Sequence, residues 1–100
     1  MHASCYRYQE AGRSAEEVVD LGRRLAGRLS QLPGFVWFLV LDAGAGALVS
    51  VSVYETAADL ARAESVTGEW LAGQRALMPL PALTTLVDTC SGEVLVQRGL

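Results

Sequence analysis

The spacing of apolar residues changes several times along the chain, and each change marks the start of a new element. Within residues 2–9, Tyr6 and Tyr8 alternate with smaller or polar residues, which predicts a β-strand. Ser14 followed by Glu17 then forms a capping box, the signature of a helix N-terminus. Apolar positions next recur at spacings of three and four, until a Pro-Gly pair stops the helix. This stripe comprises Val18, Leu21, Gly22, Leu25, Leu29 and Leu32.

Two further strands follow the first helix. Residues 35–41 are apolar without a break, which predicts a short strand buried on both faces. A glycine-containing turn at 42–46 joins it to a second strand at 47–54, in which alternate residues are Val.

A second helix and a last strand complete the pattern. Thr56 with Asp59 marks the helix N-terminus, and Pro79 and Pro81 end that region. The inner stripe of this helix is predicted to comprise Leu60, Ala63, Thr67, Trp70 and Leu71. A final strand is expected within 83–97, with an interruption near Ser91 and Gly92.

The resulting order, βαββαβ, predicts an α+β fold with a ferredoxin-like, four-stranded antiparallel sheet, in a single domain covering residues 1–100. Right-handed crossovers place both helices on one side of the sheet and leave the other side bare. The bare side should be polar in a monomer, but one face of the third element carries Phe35, Trp37, Leu39 and Leu41. We therefore expect a homodimer that closes a dimeric α/β barrel. The alternative is a monomer whose C-terminal segment folds across the open face.

Composition and charge exclude several classes of function but do not indicate a particular one. The net charge of −3 gives no basic footprint for nucleic acid or an anionic membrane. No signal sequence or membrane span is apparent, and the two cysteines lie far apart without a metal-ligand pattern. We expect a cytoplasmic protein with reduced thiols and no metal site.

Several short motifs resemble the antibiotic biosynthesis monooxygenase superfamily. They are Leu-Pro-Gly-Phe at 32–35 before a hydrophobic strand, Tyr54-Glu55 at the end of the next strand, Glu69-Trp70 in the second helix, and Gly-Glu-Val-Leu-Val at 92–96. The resemblance covers nearly the whole chain and is greatest to small, mostly uncharacterised members that form dimeric α/β barrels. These motifs are structural, so they indicate fold better than activity.

The resemblance implies two chemistries. Some relatives oxidise polycyclic aromatic compounds with O₂ and no cofactor, using Asn, Trp, Arg and Tyr; others degrade haem, using Asn, Trp and an axial His on the second helix. This chain has no Asn, and its one His is His2, so neither catalytic set is present. We predict no cofactor, and a small apolar or aromatic ligand that is oxidised, isomerised or cyclised. The alternatives are a dimeric binding or accessory module without activity, in which the aromatic residues serve as core, and a regulatory subunit that recognises another protein.

The candidate ligand-binding residues are mainly aromatic. Trp37, Tyr54 and Trp70 offer flat surfaces with polar tips, Tyr6 could reach a cavity, and Arg75 could bind a phenolate or carboxylate. Each also has a structural interpretation, as core packing for the aromatic residues and as a helix cap for Arg75.

Five small or polar residues on the predicted strands complete the set of candidates. Ser50 and Ser52 on one strand face either bond to the backbone or make room for a ligand. His2 is expected to be a frayed terminal residue, and a general base only if the first strand brings it to a cavity. Cys5 and Cys90 are expected to be structural thiols on neighbouring strands.

Overall fold

The βαββαβ order is confirmed by a computed structural model, which describes the backbone of residues 1–77 and 83–100 and the side chains of 1–73 and 85–100. Its elements are β1 (His2–Ala11), α1 (Ala15–Leu29), β2 (Phe35–Gly44), β3 (Ala47–Tyr54), α2 (Ala57–Leu77) and β4 (Leu83–Glu93). The strands form one antiparallel sheet in the order β2-β3-β1-β4, so the fold is α+β and ferredoxin-like. The predicted stop at Pro79 and Pro81 lies outside the described residues.

The N-terminus of α1 is fixed by the predicted capping box. The backbone N–H of Glu17 donates to Ser14 Oγ (3.2 Å), and the Ser14 N–H donates back to the Glu17 carboxylate (3.4 Å). The helix ends at Leu29, three residues before the last position of the apolar stripe. Gly34, at φ +78°, completes the turn into β2, a conformation that favours glycine.

The most deeply buried cluster lies where the ends of α1 and β3 meet α2. It comprises Leu29, Tyr54, Leu60 and Ala63. The Tyr54 hydroxyl donates a hydrogen bond to the Leu29 carbonyl (2.9 Å), and the Phe35 ring packs edge-on against the Tyr54 ring, with centroids 5.8 Å apart. A buried hydroxyl needs such a partner, so this bond ties the end of α1 to the sheet.

The predicted facing of β2 is wrong at its first residue. Phe35 pairs with Tyr54 but Trp37 pairs with Val53, so the register shifts at Val36. Phe35 therefore packs on the core side, whereas Trp37, Leu39 and Leu41 point to the other side of the sheet. The strand is also less buried than predicted, because β2 is an edge strand and Trp37 and Leu41 are 39% and 44% exposed.

The interruption of the last strand was predicted at the wrong position. β4 runs without a break through Ser91 and Gly92, and its irregularity lies at Val87, which falls between the partners of Arg7 and Tyr8. The hydrogen-bonded ladder with β1 overrides the local glycine signal. As expected, Cys5 and Cys90 lie on neighbouring strands, and they are register partners with free thiols.

His2, the second residue of the chain, is not frayed, contrary to expectation. It pairs with Tyr54 on β3 and with Glu93 on β4, and its Nδ1 atom is buried. The central position of β1 explains this, because a strand with neighbours on both sides is held along its whole length.

The sheet face opposite the helices is open, and the part of it formed by β2 and β3 is apolar. Register partners place Val49 and Val51 of β3 there, beside Leu39 and Leu41 of β2. The C-terminal segment does not cover this face, since Leu95 and Val96 are 85% and 90% exposed. Within the described residues, no helix combines the length and apolar character needed to cross a bilayer.

Candidate functional site

A cavity lies between the sheet and the two helices. Its volume is about 80 Å³, several times the roughly 10–15 Å³ that one water molecule needs. The helices contribute mostly apolar walls, including Val18, Leu21 and Leu25 from α1, and Leu60, Trp70 and Leu71 from α2. Both helices pack on this one side of the sheet, as the right-handed crossovers predict.

The sheet side of the cavity, in contrast, carries a group of hydroxyls that we call the serine floor: Ser4, Ser50 and Ser52. Ser4 on β1 is the register partner of Ser52 on β3, and Ser50 follows two positions away on the same face. All three residues are buried, with Ser4 only 2% exposed. The Ser4 hydroxyl has no hydrogen-bond partner among the described residues. The serine floor therefore places three hydroxyl side chains opposite the mostly apolar helix side of the cavity.

Tyr6 and Glu64 form a polar pair on the cavity wall. The Tyr6 side chain is hydrogen bonded to the Glu64 carboxylate and stacks against Tyr8, with ring centroids 6.1 Å apart. Burial, and then the negative charge of Glu64, raise the pKa of Tyr6 to about 12. At neutral pH the Tyr6 hydroxyl is therefore protonated and donates to the carboxylate.

A buried ion pair lines the cavity near the end of β1. The Arg13 Nη1 atom lies 3.2 Å from the Glu10 carboxylate, and the two side chains are only 4% and 6% exposed. Each charge neutralises the other in the low-polarity interior, so neither side chain is left as an unpaired buried charge.

The structure brings together two of the five predicted ligand-binding residues. Tyr6 and Trp70 line the cavity. Tyr54 lies nearby but is fully buried, and its hydroxyl is occupied by the Leu29 carbonyl, so it supports the core. Trp37 points to the opposite, open face of the sheet. The Arg75 side chain lies outside the described residues.

The charged residues of the cavity are absent from the candidates predicted from the sequence. Glu64 lies four residues after Leu60 and three before Thr67, so helical spacing already placed it on the inner stripe. Glu10 and Arg13 lie between the predicted strand at residues 2–9 and the helix that begins at Ser14, and no pattern in that segment indicates burial. Acidic and basic residues are mostly exposed, and only their position in the fold reveals that these are buried.

The cavity wall has no imidazole. The only His of the chain, His2, shares the helix-facing side of β1 with Ser4 but is not among the residues that line the cavity. In addition, no three His, Cys, Asp or Glu side chains in the described part of the chain lie close enough to hold a metal ion. The residues present therefore do not fit a haem with a His axial ligand.

Solved structures share this fold at low sequence identity. SnoaB, a cofactor-independent oxygenase from Streptomyces nogalater, is 19% identical with a TM-score of 0.73, over 96% of this chain and 94% of that one. A putative antibiotic biosynthesis monooxygenase from Chloroflexus aurantiacus is 13% identical with a TM-score of 0.72, over 98% and 96%. A dimeric ferredoxin-like protein from an uncultured marine organism is 10% identical with a TM-score of 0.64, over 100% of both chains.

No protein-family model matches the chain, and no curated protein matches its sequence. The structural matches agree with the superfamily that the sequence motifs resemble, and at these identities they establish the fold alone.

Proposed function

We propose that this chain, folded like the cofactor-independent oxygenases and related ferredoxin-like proteins, binds a small apolar or aromatic molecule in the cavity between sheet and helices. The observation that carries the proposal is the cavity itself: an apolar enclosure with a few convergent polar groups is typical of small-molecule sites.

The Tyr6–Glu64 pair supports a catalytic version of the proposal. Cofactor-independent oxygenation, isomerisation and cyclisation of aromatic precursors all benefit from removal of a proton from the substrate. Glu64 is the base in this scheme, and the Tyr6 hydroxyl holds and orients its carboxylate. Trp70 supplies a flat surface for the substrate ring.

The binding proposal can be tested with the two tryptophans of the chain, because they lie on opposite sides of the sheet. Trp37→Phe leaves Trp70 in the cavity wall as the only indole reporter, and Trp70→Phe leaves Trp37 on the open face. Across a panel of polyphenols and quinones, we expect fluorescence quenching in the Trp37→Phe variant and a raised melting temperature, but little quenching in Trp70→Phe. A panel that changes neither signal would refute the proposal.

Oxygen uptake separates the catalytic version from its alternative, a binding or accessory module without turnover. We expect O₂ consumption with a bound polycyclic phenol and its loss in Glu64→Gln, with Glu69→Gln as the control because Glu69 is exposed on the same helix. Saturable binding without O₂ consumption or product formation would favour the non-catalytic module.

We further propose that two copies pair through the open sheet face to form a dimeric α/β barrel. Support comes from the partly exposed apolar side chains of β2 and β3, and from the dimeric state of one structural neighbour. Full burial of a large apolar side chain contributes about 1.5–3 kcal/mol, and these side chains are already partly buried in one copy. At roughly half that value each, about ten of them in two copies contribute as much as the association cost of roughly 4–15 kcal/mol.

A charge placed on this face tests the dimer. Leu41 is 44% exposed on the open face, and Val19 is 50% exposed on α1. We expect Leu41→Arg to convert a dimer into monomers in sedimentation experiments, while Val19→Arg stays dimeric. A wild-type protein that sediments as a monomer at micromolar concentration would rule out the barrel.

A further inference from the structure

The two cysteines of the chain lie side by side on the open face of the sheet, although they are near opposite ends of the sequence. Cys5 on β1 is the register partner of Cys90 on β4 and of Val51 on β3. The next residue, Tyr6, faces the cavity, so Cys5 and its register partners point to the other side of the sheet. Cys5 is partly buried and Cys90 is exposed. The two thiols are therefore neighbours on a surface of the folded chain.

The hydrogen bonding of the ladder fixes the separation of the two backbones. The Val94 N–H donates to the Met1 carbonyl (2.9 Å), and no register shift lies between Met1 and Cys5. Hydrogen-bonded and non-hydrogen-bonded pairs alternate along antiparallel strands, so counting from this bond makes Cys5–Cys90 a hydrogen-bonded pair, with Cα atoms about 5.5 Å apart. Disulfides usually join Cα atoms about 4.4–6.8 Å apart. The backbone separation therefore lies within the range that a disulfide spans.

The side chains need a small movement that β4 can make. Directly opposite Cβ atoms in an antiparallel pair are about 4.5–5.5 Å apart, whereas a disulfide brings them to about 3.8 Å. β4 is an edge strand whose only neighbour in the sheet is β1, so it can shift toward β1 without breaking a second ladder. A disulfide that must hold such a displacement is more easily reduced than a relaxed one. The bond is therefore expected to be reversible.

The adjacent register pair connects these thiols with the cavity. Tyr6 and Thr89 are register partners on the helix side of the sheet, and their side chains are hydrogen bonded. A covalent bond one residue away would hold β4 against β1 beside this contact. Oxidation on the open face would therefore also fix the strand that supports the Tyr6 side of the cavity.

We propose that Cys5 and Cys90 are a redox-active modification site, which forms a reversible disulfide between β1 and β4. One cysteine thiolate attacks a small disulfide such as oxidised glutathione and releases the first glutathione thiol; the other cysteine thiolate then attacks the mixed disulfide and releases the second. The two cysteines together lose two protons and two electrons, and oxidised glutathione gains them as two thiols. The thiol pair lies beside the apolar patch of β2 and β3 and outside the cavity, so the site does not depend on ligand binding.

Equilibration with glutathione buffers of different redox ratio measures the formation of this disulfide. After free thiols are blocked with a maleimide, mass spectrometry of the intact protein distinguishes the intrachain disulfide from mixed disulfides and covalent dimers. We expect the folded wild-type chain to become half-oxidised in a buffer at least about tenfold more reducing than the chain requires in guanidinium chloride, because the fold has already closed the long loop between the cysteines.

The matched control moves one thiol along the same face of β4. In the double variant Cys90→Ser, Asp88→Cys, the second thiol stands opposite Arg7 and is a diagonal neighbour of Cys5. Diagonal neighbours are about 7–8 Å apart, too far for a disulfide without backbone movement, so this variant should lose the advantage of the folded state. Oxidation should also raise the melting temperature of the wild type by about 10 °C and leave that of Cys90→Ser unchanged.

Four results would overturn the proposal. They are a folded chain that is oxidised no more readily than the denatured one, glutathione bound to both cysteines in place of the intrachain bond, covalent dimers as the main product, and a double variant that is oxidised as readily as the wild type. The ligand titrations and the oxygen-uptake assay are separate measurements, so each of these results leaves the proposed binding function standing.

Discussion

The ionisation of Tyr6 gives the sharpest test of the cavity's electrostatics. Burial and the adjacent Glu64 carboxylate together raise the pKa of Tyr6 from the ordinary value of 10.0 to about 12. At pH 11, a group with a pKa of 12 is about one-tenth ionised, whereas an unperturbed tyrosine is about nine-tenths ionised. Removal of the charge in Glu64→Gln should lower the pKa of Tyr6, but not to the ordinary value, because burial is the larger cause.

The titration can be followed through the phenolate absorption band. The difference between the wild type and Tyr6→Phe isolates the Tyr6 signal, and the same difference in the Glu64→Gln background measures the shift. The chain contains no Lys, so no ammonium group titrates in the same range and changes the surrounding charge. Glu69→Gln is the matched control, since it removes one negative charge from an exposed position of the same helix.

The same shift determines how stability depends on pH. Because the folded state binds the Tyr6 proton more tightly than the unfolded chain, this stabilisation is complete below pH 10 and is lost as the pH rises toward 12. Glu64→Gln should reduce that loss. A Tyr6 signal that titrates identically in the wild type and in Glu64→Gln, or an equal shift in Glu69→Gln, would refute the proposed contact.

Five further substitutions test the packing. Tyr54→Phe removes the hydroxyl bond to the end of α1 and should lower the unfolding free energy by about 0.5–1.5 kcal/mol in denaturant titrations; an unchanged value would contradict the role of this bond. Gly22→Ala and Gly27→Ala should each stabilise α1 by about 0.5–1 kcal/mol, but only the former adds a methyl group to the cavity and should alter ligand affinity. Gly46→Ala should lower the unfolding free energy more than Gly44→Ala. Both positions have a positive φ, which costs an alanine about 1–2 kcal/mol, but only at Gly46 would the new Cβ lie 2.7 Å from a backbone oxygen. Equal losses of unfolding free energy would show that the turn relaxes.

Most of the secondary structure was predictable because its signals are local. The Ser14–Glu17 capping box begins α1 where expected, and the spacing of apolar residues identified the inner faces of both helices. Strand parity in β1 was also correct, since Tyr6 and Tyr8 share the cavity side. These features depend on residues only a few positions apart, so the fold class followed from them.

The candidate site was predictable only in part, because a β-bulge reverses which side chains of a strand face each side of the sheet. The register shift at Val36 sends Trp37 to the open face, although an unbroken strand would have kept Phe35 and Trp37 together. Tyr54 belongs to the core because its hydroxyl donates to the Leu29 carbonyl at the end of α1, 25 residues earlier in the chain. No local pattern reports such a long-range contact.

The sequence by itself determined the order of the elements, the helix caps and which helix faces turn inward, because periodicity and capping chemistry act over one or two turns of chain. Only the tertiary structure decided which side chains share the cavity: it buried the Glu10–Arg13 pair, joined Tyr6 to Glu64, and left the Ser4 hydroxyl without a partner. Burial and pairing arise when distant segments meet, so they are properties of the packed fold and not of any single stretch of sequence.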